Sequence, residues 1–237
     1  MATETQTPAA VSCWACHAPL AQNEHFCAAC GKVQPATATD FFFFFGLPRK
    51  LNLDVAALTR EFYRLSRQLH PDVYARASQQ EQQWSLEKSS QLNDAYRVLK
   101  APIERTAYLL QLEGVQMEEQ SKAATDRARQ TGEVKKQVVP PDLLEEVFEL
   151  NMQLEEARAA KKMGEDDPEV RRELEAHRKH FEEKLEALSA ELQGYWNDWD
   201  GASSDAERAK ARDRMVDLLN RRSYIRNLVR DVKEAIG

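Results

Sequence analysis

The sequence predicts an all-α protein: a helical hairpin, then a C-terminal three-helix bundle, behind a small N-terminal pair of cysteine turns. Three observations carry this expectation. Glycine is scarce, 8 of 237 residues, while 30% of the residues are charged. Together with long runs rich in Ala, Glu, Lys, Leu and Arg, that balance favours helices. Apolar residues recur at spacings of three and four in several long stretches, the period of one helix face. All four cysteines lie between Cys13 and Cys30, apart from the helical patterns.

Composition also sets limits. Apolar residues make up 42%, enough for a core, and the formal net charge is −6. A strong nucleic-acid binder usually presents a basic field, so no nucleic-acid partner is expected. No run of eighteen apolar residues occurs, and Phe41 to Phe45 is far too short to span a membrane, so no membrane partner is expected. The opening MATETQTPAA has no Lys or Arg and no long apolar core. It differs from a secretory signal and from an Arg-rich transit peptide. With Met1 in place, a cytoplasmic (bacterial) chain is expected, the mitochondrial matrix being the alternative. No fixed-period repeat is present. The sequence holds no G-x-S-x-G elbow, P-loop or open metal triad, so no enzyme is expected.

The cysteines are spaced Cys13-x-x-Cys16, ten residues, Cys27-x-x-Cys30. Two such tight turns make a closed tetrahedral thiolate site that suits structural zinc. Gly31 helps the second turn close. His17 and His25 lie nearby and could replace a ligand, but four cysteines already fill the shell. Such a site leaves no open position for substrate, and metal binding supplies folding energy to a segment with little core. Lys32 is the only Lys or Arg in residues 1–35, so a protein contact or a stabilising role fits better than nucleic-acid binding.

Leu58, Phe62, Leu65 and Leu69 form one buried stripe of a helix, with Asp54 at its start. Pro71 stops that helix by pushing His70 out of the α region. Asp72 is a natural turn residue. A second helix is expected over about 78–100, through Trp84, Lys88, Leu92, Tyr96 and Leu99, packed antiparallel to the first. Arg60, Arg64 and Arg67 repeat on a different face from the leucines. Residues 49–76 hold six Arg/Lys against three Asp/Glu, a locally basic window able to steer an acidic partner surface.

The stretches DFFFFFGLP, YRLSRQLHPD and KSSQLNDAYRVLKAP resemble the J domain of DnaJ-type co-chaperones. More narrowly the chain resembles the HscB-type iron–sulfur cluster co-chaperones. There the J domain is followed by a stretch like ERTAYLLQLEGV and an acidic three-helix domain, and some members carry paired Cys-x-x-Cys turns. The resemblance covers roughly residues 13–235. It implies that His70, Pro71 and Asp72 dock on a DnaK/HscA-type chaperone and trigger its ATP hydrolysis. Asp72 would pair with an arginine of that chaperone, and Arg60, Tyr63, Arg64 and Arg67 would lie on the docking face. A general J-protein serving other clients is the alternative. Two features depart from the family pattern. Five consecutive phenylalanines exceed what one helix face can bury, so some are expected to meet the cysteine turns. No basic final helix follows the second one, since Pro102 to Leu112 is largely apolar.

The expected division is a disordered tail (1–12), a zinc module (13–35), a J domain (36–112), a connector (113–139) and a three-helix domain (140–237). In the last, Pro140-Pro141 can open a helix with Leu143, Val147, Leu150, Leu154 and Ala157 on its core face. The next helix shows Val170, Leu174, His177, Phe181, Leu185, Leu188 and Leu192, with His177 read as a packing histidine. The last shows Met215, Leu218, Ile225, Val229 and Val232. YWNDWD, residues 195–200, is expected to join these two helices. Leu144, Phe148 and Met152 repeat every four residues, about 100–180° from the core stripe. Glu145, Glu149 and Glu156 border them. A wet apolar strip rimmed by carboxylates suits a protein partner, the alternative being that the long connector covers it. The family resemblance implies that the partner is an IscU-type scaffold protein, with Leu144, Phe148, Glu149, Met152 and Glu156 as candidate contacts.

Overall fold

The computed structural model describes residues 11–21, 23–37, 40–115, 139–164 and 167–237. Among the described residues the chain is all-α apart from two short strands, and it forms two compact units, Met1–Arg105 and Thr106–Gly237. The cysteine turns belong to the first unit together with the hairpin. Most of the expected connector, and the tail up to residue 10, lie outside the described residues. The end of that tail differs from expectation. Val11–Ser12 form strand β1, paired antiparallel with β2, Pro19–Leu20, so the chain is already ordered where the first cysteine turn begins.

In the first unit a short helix α1 (Phe41–Phe44) is capped by Asp40, whose carboxylate accepts from the Phe43 amide at 2.9 Å. Phe42 and Phe44 are buried and the other three phenylalanines half-buried. Phe44 shares a core with Val33 of the cysteine segment and with Leu65, Leu69, Leu92 and Ala95. The surplus aromatics therefore do meet the cysteine turns. Helix α2 (Val55–Leu69) starts at Asp54, which accepts from the Ala57 amide, and buries Leu58, Leu65 and Leu69. Helix α3 (Gln79–Lys100) opens with a capping box between Ser78 and Glu81. Thr59 at the start of α2 meets Tyr96 near the end of α3 at 3.2 Å, and Leu69 at the end of α2 meets Ser85 near the start of α3. The pair is antiparallel.

Helix α4 (Pro102–Leu112) contributes Thr106 onward to the second unit. A 3₁₀ turn (Pro141–Leu143) leads into α5 (Leu144–Met163), which ends on Gly164 in the left-handed conformation, φ 77°. Helix α6 (Pro168–Gly201) has Asp167 as its cap, and α7 (Asp205–Ile236) has a capping box between Ser204 and Glu207. Gln153 reaches Glu173 and Glu146 reaches Lys184, so α5 and α6 run in opposite directions. Lys233 pairs with Glu182, and Arg171 donates to the Ile236 carbonyl, so α6 and α7 do the same. Leu143, Val147, Leu150 and Leu154, Val170, Leu174, Phe181, Leu188 and Leu192 of α6, and Met215, Leu218, Ile225, Val229 and Val232 of α7 are all buried. No described helix is long and apolar enough to cross a membrane.

YWNDWD is not a joint. It forms the last turns of α6, and the joint is the shorter Ala202–Ser204. The apolar stripe runs on through Leu188, Leu192, Trp196 and Trp199 at spacings of four, four and three. Both tryptophans are buried, and Trp196 Nε1 donates to the Thr106 hydroxyl at 2.9 Å. A buried indole needs a partner, and α4 supplies it.

Candidate functional site

Three features stand out from the folding framework: the corner between α2 and α3, the cysteine turns, and the outer face of α5.

The corner is built by satisfying the end of α2. His70 leaves the helix at φ −59°, ψ 131°, as a residue before proline must, and Pro71–Tyr74 form a 3₁₀ turn. The Leu69 carbonyl would otherwise lack a helical partner. It accepts from Ser85 Oγ at 2.7 Å and Ser89 Oγ at 2.8 Å, both on α3. Neither serine is marked by the apolar periodicity of α3. Their signal is small polar residues on the face of α3 that meets the end of α2. His70 Nδ1 accepts from the Asp72 amide at 3.2 Å. That bond spends a ring nitrogen on the turn, while the Asp72 carboxylate is left 91% exposed. Val73 and Tyr63 are exposed large side chains beside a basic helix.

On α2, Arg60, Tyr63, Arg64 and Arg67 fall within about 100° of one another and roughly opposite Leu58, Leu65 and Leu69. All four are exposed. They are not equivalent. Arg64 is held by Glu61 through two contacts, 2.5 and 2.8 Å, and by Gln68 at 2.8 Å. The hydrogen bonds from Arg64 hold the Glu61 carboxyl below its ordinary range, and Glu61 in turn raises Arg64. Arg60 and Arg67 have no ion pair among the described residues and are the guanidiniums open to a partner.

The four cysteines converge. Their sulfurs all lie within 4.8 Å of one another, with Cys13–Cys30 at 3.7 Å and Cys16–Cys27 at 3.6 Å. A disulfide would need about 2.05 Å. Tetrahedral thiolates around zinc, at about 2.3 Å from the metal, stand about 3.8 Å apart, so the donor set fits a closed metal site. The two turns are alike. The His17 amide donates to the Cys13 carbonyl and the Gly31 amide to the Cys27 carbonyl, at 2.9 and 2.8 Å. His17 and Gly31 both have positive φ, 60° and 71°. Glycine takes that conformation without strain and histidine does not. Buried Gln34 donates to Cys13 Sγ at 3.5 Å and the Ala15 amide does so at 3.4 Å.

His25 is no ligand. Its Nε2 bonds the Phe44 carbonyl at 2.9 Å, and its Nδ1 lies 3.3 Å from Lys88 Nζ. An ammonium only donates, so Nδ1 accepts, Nε2 carries the proton, and the ring is neutral. Burial first, then Lys88, push its pKa down to about 4. Burial also pushes Lys88 down to about 8. The histidine fastens the cysteine segment to α1 and α3.

On α5, Leu144, Phe148 and Met152 are 54%, 66% and 61% exposed, whereas Leu143, Val147, Leu150 and Leu154 on the other face are at most 5% exposed. Glu145, Glu149 and Glu156 are exposed along the strip. Glu146 instead turns to α6, where the hydrogen bonds from Lys184 and His180 outweigh burial and lower its pKa. The strip's rim and the bundle's own ion pairs are thus separate sets of carboxylates.

A capped antiparallel hairpin with an exposed His-Pro-Asp corner and an arginine-bearing face defines a J-domain protein. The family model described as the HSCB C-terminal oligomerisation domain matches residues 139–233. The mouse iron–sulfur cluster co-chaperone protein HscB is 31% identical over 228 residues, covering 94% of this chain and 82% of the mouse protein. Its human counterpart is 32% identical over 157 residues, 65% of this chain and 61% of the human protein. Among solved structures, human co-chaperone protein HscB has a similar fold, with TM-score 0.64 at 22% identity, covering 94% of this chain and 98% of that one. Chaperone HscB from Vibrio cholerae gives a TM-score of 0.52 at 26% identity over 84% of this chain and all of that one. The chain belongs to the HscB co-chaperone family.

Proposed function

We propose that this protein stimulates the ATPase of a DnaK/HscA-type chaperone and delivers to it an IscU-type scaffold protein for iron–sulfur cluster maturation. Stimulation is assigned to His70, Pro71 and Asp72 with Arg60, Tyr63, Arg64 and Arg67. Asp72 pairs with an arginine of the chaperone. Delivery is assigned to Leu144, Phe148, Glu149, Met152 and Glu156. The observation that carries this is the placing of two unsatisfied surfaces, one polar and one apolar, on different units of one chain. Holding both partners raises the local concentration of scaffold beside the chaperone. Cys13, Cys16, Cys27 and Cys30 hold zinc, which four thiolates favour over harder ions. Bound there, the metal supplies structure and no open coordination position. The protein itself hydrolyses nothing.

Steady-state ATP hydrolysis by the chaperone tests this. The native chain is expected to raise turnover, and scaffold to raise it further. Phe148→Asp should keep the first increment and lose the second. If Phe148→Asp keeps both, the scaffold is not held on this strip. If scaffold never adds to the rate but other unfolded clients do, the chain is a general J-protein.

A further inference from the structure

The cysteine turns are tied to the helix that follows the docking corner. Lys32, two residues beyond Cys30, places Nζ 2.8 Å from Glu81 Oε1. Glu81 lies in the first turn of α3 and is only 4% exposed. Its other oxygen accepts from the Ser78 hydroxyl at 2.9 Å and the Ser78 amide at 3.3 Å, completing the capping box. One carboxylate therefore joins a residue of the metal turn to the start of α3, seven residues past Asp72. A second set of contacts runs beside it. Val33 enters the core with Leu69, the last residue of α2. Trp14, between Cys13 and Cys16, donates to the Val33 carbonyl at 2.8 Å and packs edge-on against Trp84 of α3 at 5.4 Å.

Each cysteine-side group in these contacts stands within three residues of a thiolate, on backbone whose conformation the Cys-x-x-Cys turns define. So short a segment depends on its metal for that conformation. Loss of metal releases Lys32, and Glu81 is then a buried carboxylate without its cation, which is strongly unfavourable. The simplest relief is for Glu81 to swing to solvent, which opens the capping box.

We propose that Lys32 and Glu81 are positioning residues for chaperone activation, linking metal loading of the four cysteines to the geometry of the His-Pro-Asp corner. This deepens the co-chaperone function proposed above and rests on it. Metal fixes Lys32, Lys32 holds Glu81, and Glu81 holds the first turn of α3. Metal content then sets how well the corner fits the ATPase.

The test uses the full chain loaded with cobalt, whose thiolate absorption reports metal binding directly. Lys32→Met is expected to keep the cobalt spectrum, yet to speed amide hydrogen exchange about tenfold over residues 72–82. The bundle amides should be unchanged. In the chaperone assay Lys32→Met should raise the concentration for half-maximal stimulation several-fold and leave the maximum intact. Lys32→Arg, which keeps the cation, should restore both readouts. Chelation of the native chain should speed exchange over residues 78–82 at least as much as Lys32→Met does, and chelation of Lys32→Met should add less there than it does in the native chain. The proposal is overturned if Lys32→Met leaves exchange at 72–82 unchanged, or if chelation speeds those amides equally in both proteins. A native chain that fails to stimulate the chaperone overturns the function, while the exchange data still decide the link between metal turn and helix.

Discussion

Truncating Phe148 to alanine separates binding from folding. The ring is 66% exposed on the outer face of α5. A phenylalanine side chain offers about 200 Å², so about 130 Å² is open to a partner, and alanine would keep a small part of it. Covering the remaining ~100 Å² contributes about 2.5 kcal/mol at 25 cal/mol per Å². That corresponds to a dissociation constant weakened by roughly 50–100-fold. The free protein has little to lose, since alanine is the better helix former and the site is wet. Its unfolding free energy should change by no more than about 0.5 kcal/mol. Leu150, two residues on and fully buried, should show the reverse. Leu150→Ala should cost about 2–5 kcal/mol of stability with little direct effect on contact with the scaffold. Titration calorimetry with the scaffold and denaturant unfolding read the two quantities. Unchanged affinity in Phe148→Ala, or a large fall in its stability, would refute the reasoning.

The buried ammonium of Lys88 gives a pH signature. Its folded pKa is about 8 against an ordinary 10.5. Between those values the unfolded chain binds more protons, so stability rises with pH, by up to about 3 kcal/mol across the window. Below pH 8 both states are protonated and the penalty is constant. Denaturant unfolding from pH 7.5 to 10.5 should show this rise in the native chain and not in Lys88→Met; parallel curves would place Lys88 in water. Removing the metal should lower the melting temperature of the first unit and leave the bundle transition in place, as followed by calorimetry with and without chelator. Equal loss in both transitions would contradict a local role. Trp196→Phe deletes the donor to Thr106 and should cost about 1 kcal/mol in the bundle transition alone; no change there would show that the bond carries no net stability.

The helices and their caps were legible because each depends on residues within a turn or two. Asp54 and Pro71 after His70 announce the limits of α2 in the sequence, and the apolar pattern over about 78–100 announces α3. The exposed strip on α5 was legible for the same reason, since Leu144, Phe148 and Met152 share a face through periodicity alone. The contacts that periodicity does not encode were not legible. His25 meets Lys88 across 63 residues and Lys32 meets Glu81 across 49, so a histidine beside cysteines looked like a spare ligand. YWNDWD resembled a joint because of its aspartates and the glycine after it. The stripe of Leu192, Trp196 and Trp199 outweighed them, because burying two indoles stabilises more than those residues disfavour helix.

Substitution of His70 is the most direct test of the central claim, that the exposed corner after α2 drives the chaperone. His70→Gln keeps a polar side chain at a position 55% exposed, so the hairpin should fold and the scaffold should still bind. ATP turnover by the cognate chaperone, measured with saturating His70→Gln, should fall to the rate of the chaperone alone. Stimulation equal to that of the native chain would contradict the assignment of the corner.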